Sequence, residues 1–188
     1  MKNKIHYVAS AALLAVLSLS TARAAEDLRS ESQQAIASFK KADSTFPSFI
    51  ADSVGYAVFP NVAKGGLVVG GAHGKGLVYQ TNQVIGRATM TQASFGAQAG
   101  GQTFAEVICF ETPAALDDFK SGKFEMAADV SAVAAAEGAS KSAGYKKGVA
   151  VFTLPKKGLM VQASIGGQKF KFEPEPPEPT GRPNPGTK

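Results

Sequence analysis

The sequence predicts an α+β domain: a compact β-rich body of short, glycine-broken antiparallel strands with an N-terminal helix and peripheral helices. Three observations carry this reading. Residues 25–53 place apolar side chains at helical spacing and hold no glycine. All 20 glycines lie from Gly55 onward, where they interrupt short apolar runs. The last of those runs alternate cleanly between two faces, as strands do.

Met1 to Ala24 reads as a secretory signal peptide. Lys2 and Lys4 precede an apolar run from Val8 to Leu19, and Ala22-Arg23-Ala24 forms an A-x-A exit. The run is shorter than the roughly 20 residues that a membrane-spanning helix needs. Cleavage after Ala24 is expected, which would leave the protein periplasmic or secreted. Three of the 20 basic residues (Lys2, Lys4, Arg23) depart with that segment, so 17 remain against 15 acidic ones, a net charge of +2. A chain so close to neutral is not a nucleic-acid binder relying on bulk charge.

In residues 25–53, Leu28, Ala35, Ile36 and Phe39 fall near one helical stripe, Glu26 and Asp27 favour the N-terminal end, and Lys40 and Lys41 favour the last turns. A second short helix is expected from Pro47 to about Ser53. The β-rich part spans residues 55–172. Its strand candidates are Tyr56–Phe59, Leu67–Val69, Leu77–Tyr79, Phe104–Phe110, Val149–Leu154 and Leu159–Ile165. Gly166-Gly167 reads as a turn or bulge. After it, Gln168, Phe170 and Phe172 alternate with Lys169 and Lys171. Thr112 and Pro113 open a helix running to about Lys120, with Thr112 as its cap. Residues 173–188 hold six of the ten prolines and predict an extended, solvated tail.

Most catalytic and metal chemistries lack their residues. The chain has two histidines, His6 and His73, and one cysteine, Cys109. It cannot build a multi-His or multi-Cys zinc site or an internal disulfide, and no metal or other cofactor is called. Cys109, within Val107-Ile108-Cys109-Phe110, reads as a core filler. The run Gly65–Gly76 fails as a phosphate loop, because Val69 stands where the first glycine belongs and Gly76 where Ser or Thr belongs. Its glycines read instead as sharp turns, bulges and close backbone packing. Carboxylates such as Glu106, Glu111 and Asp117 are scattered, and no G-x-S-x-G elbow exists. A hydrolase relying on His73 is the least supported reading, so the chain is read as non-enzymatic.

What remains is cationic. Lys64 and Lys75 are placed on glycine turns and Lys123 follows Gly122. Lys146-Lys147 and Lys156-Lys157 bracket a strand that would hold the two pairs about 30 Å apart at 3.3 Å per residue. These seven lysines are the candidate headgroup contacts, each worth roughly 1 kcal/mol near an anionic membrane surface; the alternative is that they are plain solvated loop lysines.

The run from Gly55 to Gly76, GYAVFPNVAKGG then VGGAHGKG, resembles the opening signature of the SYLF domain, a lipid-binding and actin-patch module. Further matches follow in order: Ser94–Gln102 (SFGAQAGGQ), Phe119 with Gly122-Lys123-Phe124, Ala127–Ser131 (AADVS) and Lys157-Gly158-Leu159. The resemblance covers residues 55–167. It departs from the pattern in having no tryptophan and no proline within Arg87–Ala93. It implies a lipid-engaging domain without established catalysis, whose eukaryotic relatives are associated with phosphoinositides and actin. For an exported chain, an envelope phospholipid or membrane surface is the expected partner and actin is not. The alternative is an envelope structural module that meets a protein partner through the proline-rich tail or a β edge.

Overall fold

A computed structural model of the chain describes residues 3–66, 69–95, 101–126, 132–157, 165 and 167–175. Helix α1 (Asn3–Ala42) runs through a segment without glycine or proline, the two residues least compatible with a helix interior. Lys40 and Lys41 occupy its last turn, where cations complement the helix dipole. The predicted stripe is real: Ala35 and Phe39 are buried against the sheet, with Leu28 and Ile36 packed at the margin. The expected leader is continuous with this helix. No helix among the described residues is long and apolar enough to cross a membrane.

Asp43 joins α1 to α2 (Phe46–Asp52) and both to a distant loop. Its Oδ1 accepts from Thr45 N at 2.9 Å, Thr45 Oγ1 at 2.7 Å and Gly138 N at 3.1 Å. Its Oδ2 accepts from Ser140 N at 2.6 Å. Burial pushes this carboxyl up, but the hydrogen bonds from Thr45 and Ser140 outweigh it and hold the group well below the usual carboxylate range.

The strands β1 (Gly55–Gly66), β2 (Val69–Gln80), β3 (Gln83–Phe95), β4 (Gln102–Phe110), β5 (Ala132–Ala134), β6 (Val149–Lys157) and β7 (Gln168–Pro174) form one sheet in the order β5-β6-β4-β1-β2-β3-β7. All pairings are antiparallel except β5 with β6. The fold class is therefore α+β and β-rich, as predicted. Helix α3 (Pro113–Lys120) also lies where expected, with the Thr112 side chain accepting from Ala115 N. A short α4 (Ala139–Ser142) follows β5.

The sheet is curled. β4 and β7 are four strands apart, which at about 4.8 Å per strand would separate them by about 19 Å in a flat sheet. Yet Gln168 Nε2 on β7 donates to Glu106 Oε2 on β4 at 3.0 Å. The Phe59 ring on β1 lies 5.7 Å from Phe170 on β7. The concave face closes over Phe59, Ile108, Phe110, Phe119 and Phe170, with α3 inside the curl. The convex face buries Tyr56, Val58, Leu77, Cys109 and Phe152 beneath α1, α2 and the chain around Tyr145.

Several expectations are corrected. The glycines of 70–76 are not turn residues; they lie inside β2. A side chain at Gly76 would collide with the Val58 carbonyl and the Phe59 ring, so this position needs close approach. Strands β3 and β5 were not expected. Glu173 and Pro174 do pair, opposite Arg87 and Gly86, so the regular body extends past residue 172. The predicted strand Leu159–Ile165 lies almost wholly outside the described residues, as do most of the proline-rich tail and residues 67–68 of the Leu67–Val69 strand.

Asp43→Ala should lower unfolding free energy by about 2–4 kcal/mol, because one buried and three part-buried donors lose their acceptor. Urea denaturation of the variant beside the parent protein measures this, and a loss below about 0.5 kcal/mol would refute the joining role.

Candidate functional site

The decisive local feature is a β-bulge in β1. Its pairing with β2 shifts between Val58 and Asn61 and its pairing with β4 between Phe59 and Val62, so Pro60 is out of register with both neighbours. β1 is a central strand, where proline is tolerated at a bulge because it has no N–H to give the ladder. The bulge also switches the alternation. Before it Ala57 and Phe59 face the concave core; after it Val62 does, and Lys64 with it.

Lys64 is therefore not a surface lysine on a glycine turn. It is 4% exposed and lies in the curl near Glu106, which is fully buried. Gln92 and Gln168 are buried on the same face. Burial pushes the Glu106 carboxyl up to about 7, and the Gln168 hydrogen bond and the Lys64 charge only partly offset it. Burial lowers the Lys64 ammonium, while the charge of Glu106 raises it. The Oε1 atoms of Glu106 and Gln168 have no hydrogen-bond partner among the described residues, which adds to the cost of ionising the acid. Sequence reasoning left Glu106 among scattered carboxylates. The signal that finds it is a carboxylate inside Phe104-Ala105-Glu106-Val107-Ile108, a run buried on both faces.

The remaining candidate lysines do not form one patch. Lys146 and Lys147 sit in the turn leading into β6, with Lys147 at a φ of 52°. Lys156 and Lys157 end the same strand, so the two pairs are at opposite ends of β6, as expected. Lys123 is exposed after α3. Lys75 is exposed in mid-β2, opposite Asn61 on β1 and Thr89 on β3.

Lys75 belongs to a face that the sequence reading did not assemble. Convex-side residues of β2, β3 and β7 align in two adjacent rows. Lys75 pairs with Thr89 and Thr89 with Lys171; His73 pairs with Thr91 and Thr91 with Lys169. His73, Lys75, Lys169 and Lys171 are all exposed. Lys156 Nζ reaches the same face, donating to Asn61 Oδ1 at 2.9 Å. Anionic neighbours are Glu173, 2.8 Å from Lys171, and Glu31, which accepts from Asn61 Nδ2 at 3.0 Å. The alternation of Lys169 and Lys171 was legible, but their alignment with Lys75 required the strand order.

Residues 91–175 match the family model described as "Ysc84: Las17-binding protein actin regulator". Over residues 91–175 the chain is similar to the SYLF family. The match begins inside β3 and runs through β7, so the glycine-rich β1–β2 stretch precedes it. The chain is also similar to "Beta cell expansion factor A" of Aeromonas veronii, at 34% identity over 119 residues. That alignment covers 62% of this chain and 44% of the relative, so the chain spans less than half the relative's length. SYLF domains are lipid-binding or actin-patch modules and not a known enzyme family.

The raised acid makes stability depend on pH. Glu106 is ordinarily half-ionised near 4.5 and here near 7. The native state thus holds the extra proton between those values, and stability falls as pH rises through them. The loss should approach the order of 3 kcal/mol above pH 7, at about 1.4 kcal/mol per unit. In Glu106→Gln this component should vanish. Denaturation of both proteins at pH 5, 6, 7 and 8 checks it, and parallel curves would refute the assignment.

Proposed function

We propose that this chain is an exported, non-enzymatic lipid-binding protein whose convex sheet face meets anionic phospholipid headgroups at the cell envelope. The observation that carries the reading is the exposed, register-aligned row set of Lys75, Lys169 and Lys171 with His73, joined by Lys156. Exposed neighbours on this face are small: Ala63 pairs with His73 from β1, Thr91 pairs with it from β3, and Gly71 with Ala93 forms the next row. A broad surface of that kind lets several ammonium groups approach a membrane together, each contributing about 1 kcal/mol. The family's lipid-binding character supports the reading, and the leader-like residues 1–24 support an envelope setting.

Co-sedimentation with vesicles tests it. Binding to phosphatidylglycerol vesicles should exceed binding to neutral ones and weaken as ionic strength rises from about 0.05 to about 0.5 M, because exposed charge is screened. Reversing Lys75, Lys156 and Lys169 to Glu should cost at least about tenfold in affinity. Reversing Lys146 and Lys147, at the far end of β6, should change it little. Equal binding by the first variant and the parent would overturn the assignment of this face. The mass of the exported protein should correspond to a chain beginning at Ala25, and a retained leader would refute the processing.

The protein-partner alternative is favoured by the family description, which names binding to Las17. Deleting residues 176–188 and comparing capture of envelope proteins separates that reading from lipid contact.

A further inference from the structure

A groove of about 440 Å³ lies where α1 crosses the bulged part of the sheet. That volume is within the roughly 300–1,000 Å³ usual for small-molecule sites. The wall that remains once the leader ending at Ala24 is removed is built from apolar atoms of Leu28 on the helix and Pro60 and Ala63 on β1. The bulge lies in the groove lining, where Pro60 leaves the regular pairing with both neighbouring strands.

The rim carries both signs of charge, on opposite sides. Asp27 and Glu31 line it from the helix, whereas His73 and Lys75 line it from β2. A fatty-acid or sulfate amphiphile offers nothing to the two carboxylates, and a cationic amphiphile offers nothing to Lys75. A headgroup with a phosphate and an ammonium a few atoms apart satisfies both sides, and its chain matches the apolar wall.

We propose that this groove binds one zwitterionic amphiphile, a phosphoethanolamine- or phosphocholine-type lipid. Its phosphate lies at Lys75 and His73, its ammonium at Asp27 and Glu31, and its chain along Leu28, Pro60 and Ala63. The inference rests on the lipid-binding reading but differs from it in stoichiometry and charge preference: one molecule held in a groove, rather than an anionic surface touched by a face.

The test is calorimetric titration of the purified protein, as isolated from cells, with monomeric dodecylphosphocholine below its micelle concentration. Dodecyl sulfate and dodecyltrimethylammonium serve as single-sign controls. The expected result is saturable 1:1 binding, tighter than either control by at least threefold. Ala63→Trp, which fills the groove from an exposed strand position, should weaken that binding at least tenfold without lowering the melting temperature. Glu31→Lys should abolish the preference for the zwitterion over dodecyl sulfate.

Absence of saturable dodecylphosphocholine binding, or binding unchanged in Ala63→Trp, would overturn the groove assignment. Tighter binding of dodecyl sulfate would overturn the zwitterion assignment. Vesicle co-sedimentation of the same Ala63→Trp protein separates the two readings. If it still sediments with anionic vesicles while the parent shows no monomer binding, the groove fails and the sheet face stands.

Discussion

Closure of the sheet upon itself is the constraint on which the rest of this protein depends. Seven strands in a flat array would leave β7 far from β4, and the concave face would have nothing to pack against except α3. The curl brings Phe170 onto Phe59 and Phe119, at centroid distances of 5.7 and 5.0 Å, and so turns one face of a sheet into an enclosed core. It also forces a polar end onto that core. Gln168 meets Glu106 at 3.0 Å only because the strands between them bend. The hydrogen bond is thus both a product of closure and a tie across it.

The same geometry divides labour between the two faces. On the concave side, apolar packing tolerates a carboxyl by raising its pKa to about 7 and by supplying a buried lysine nearby. On the convex side, α1 covers Leu77 and Tyr79 but not His73 or Lys75 further along the same strand. The helix thereby sets where the apolar core ends and where the charged face begins. The groove lies on that boundary, which is why its floor is apolar and its rim is ionic.

Parts of the fold whose causes are local were legible in the residues. Thr112-Pro113 announces a capped helix from two adjacent side chains, and the Gln168–Phe172 alternation requires only the pleat. The break between α1 and α2 was readable from Pro47, although the Asp43 hydrogen bonds to Gly138 and Ser140 were not, since they join residues about 95 apart. Lys64 reads as a turn residue from the Gly65-Gly66 beside it, whereas it lies inside β1, where the bulge at Pro60 reverses the face of every residue after it. Strand β3 carries little sequence signal because its concave positions are small or flexible, Gly86, Ala88 and Met90, and give no strong apolar alternation. The cationic rows are invisible in one dimension, since Lys75 and Lys171 become neighbours of Thr89 only through strand pairing.

Cys109 carries a consequence of a different kind. It is the one cysteine in 188 residues, is 0% exposed, and lies in the convex core with its thiol pushed up to about 12 by burial. In the native molecule it is neither accessible nor ionised, so a thiol reagent has nothing to attack. Only molecules in which the layer of α1, α2 and the Tyr145 segment has lifted from the sheet can be labelled. The fold therefore contains its own single-site clock. The rate at which an alkylating label accumulates counts how often that layer opens, with no engineered probe and no second thiol to confuse the signal.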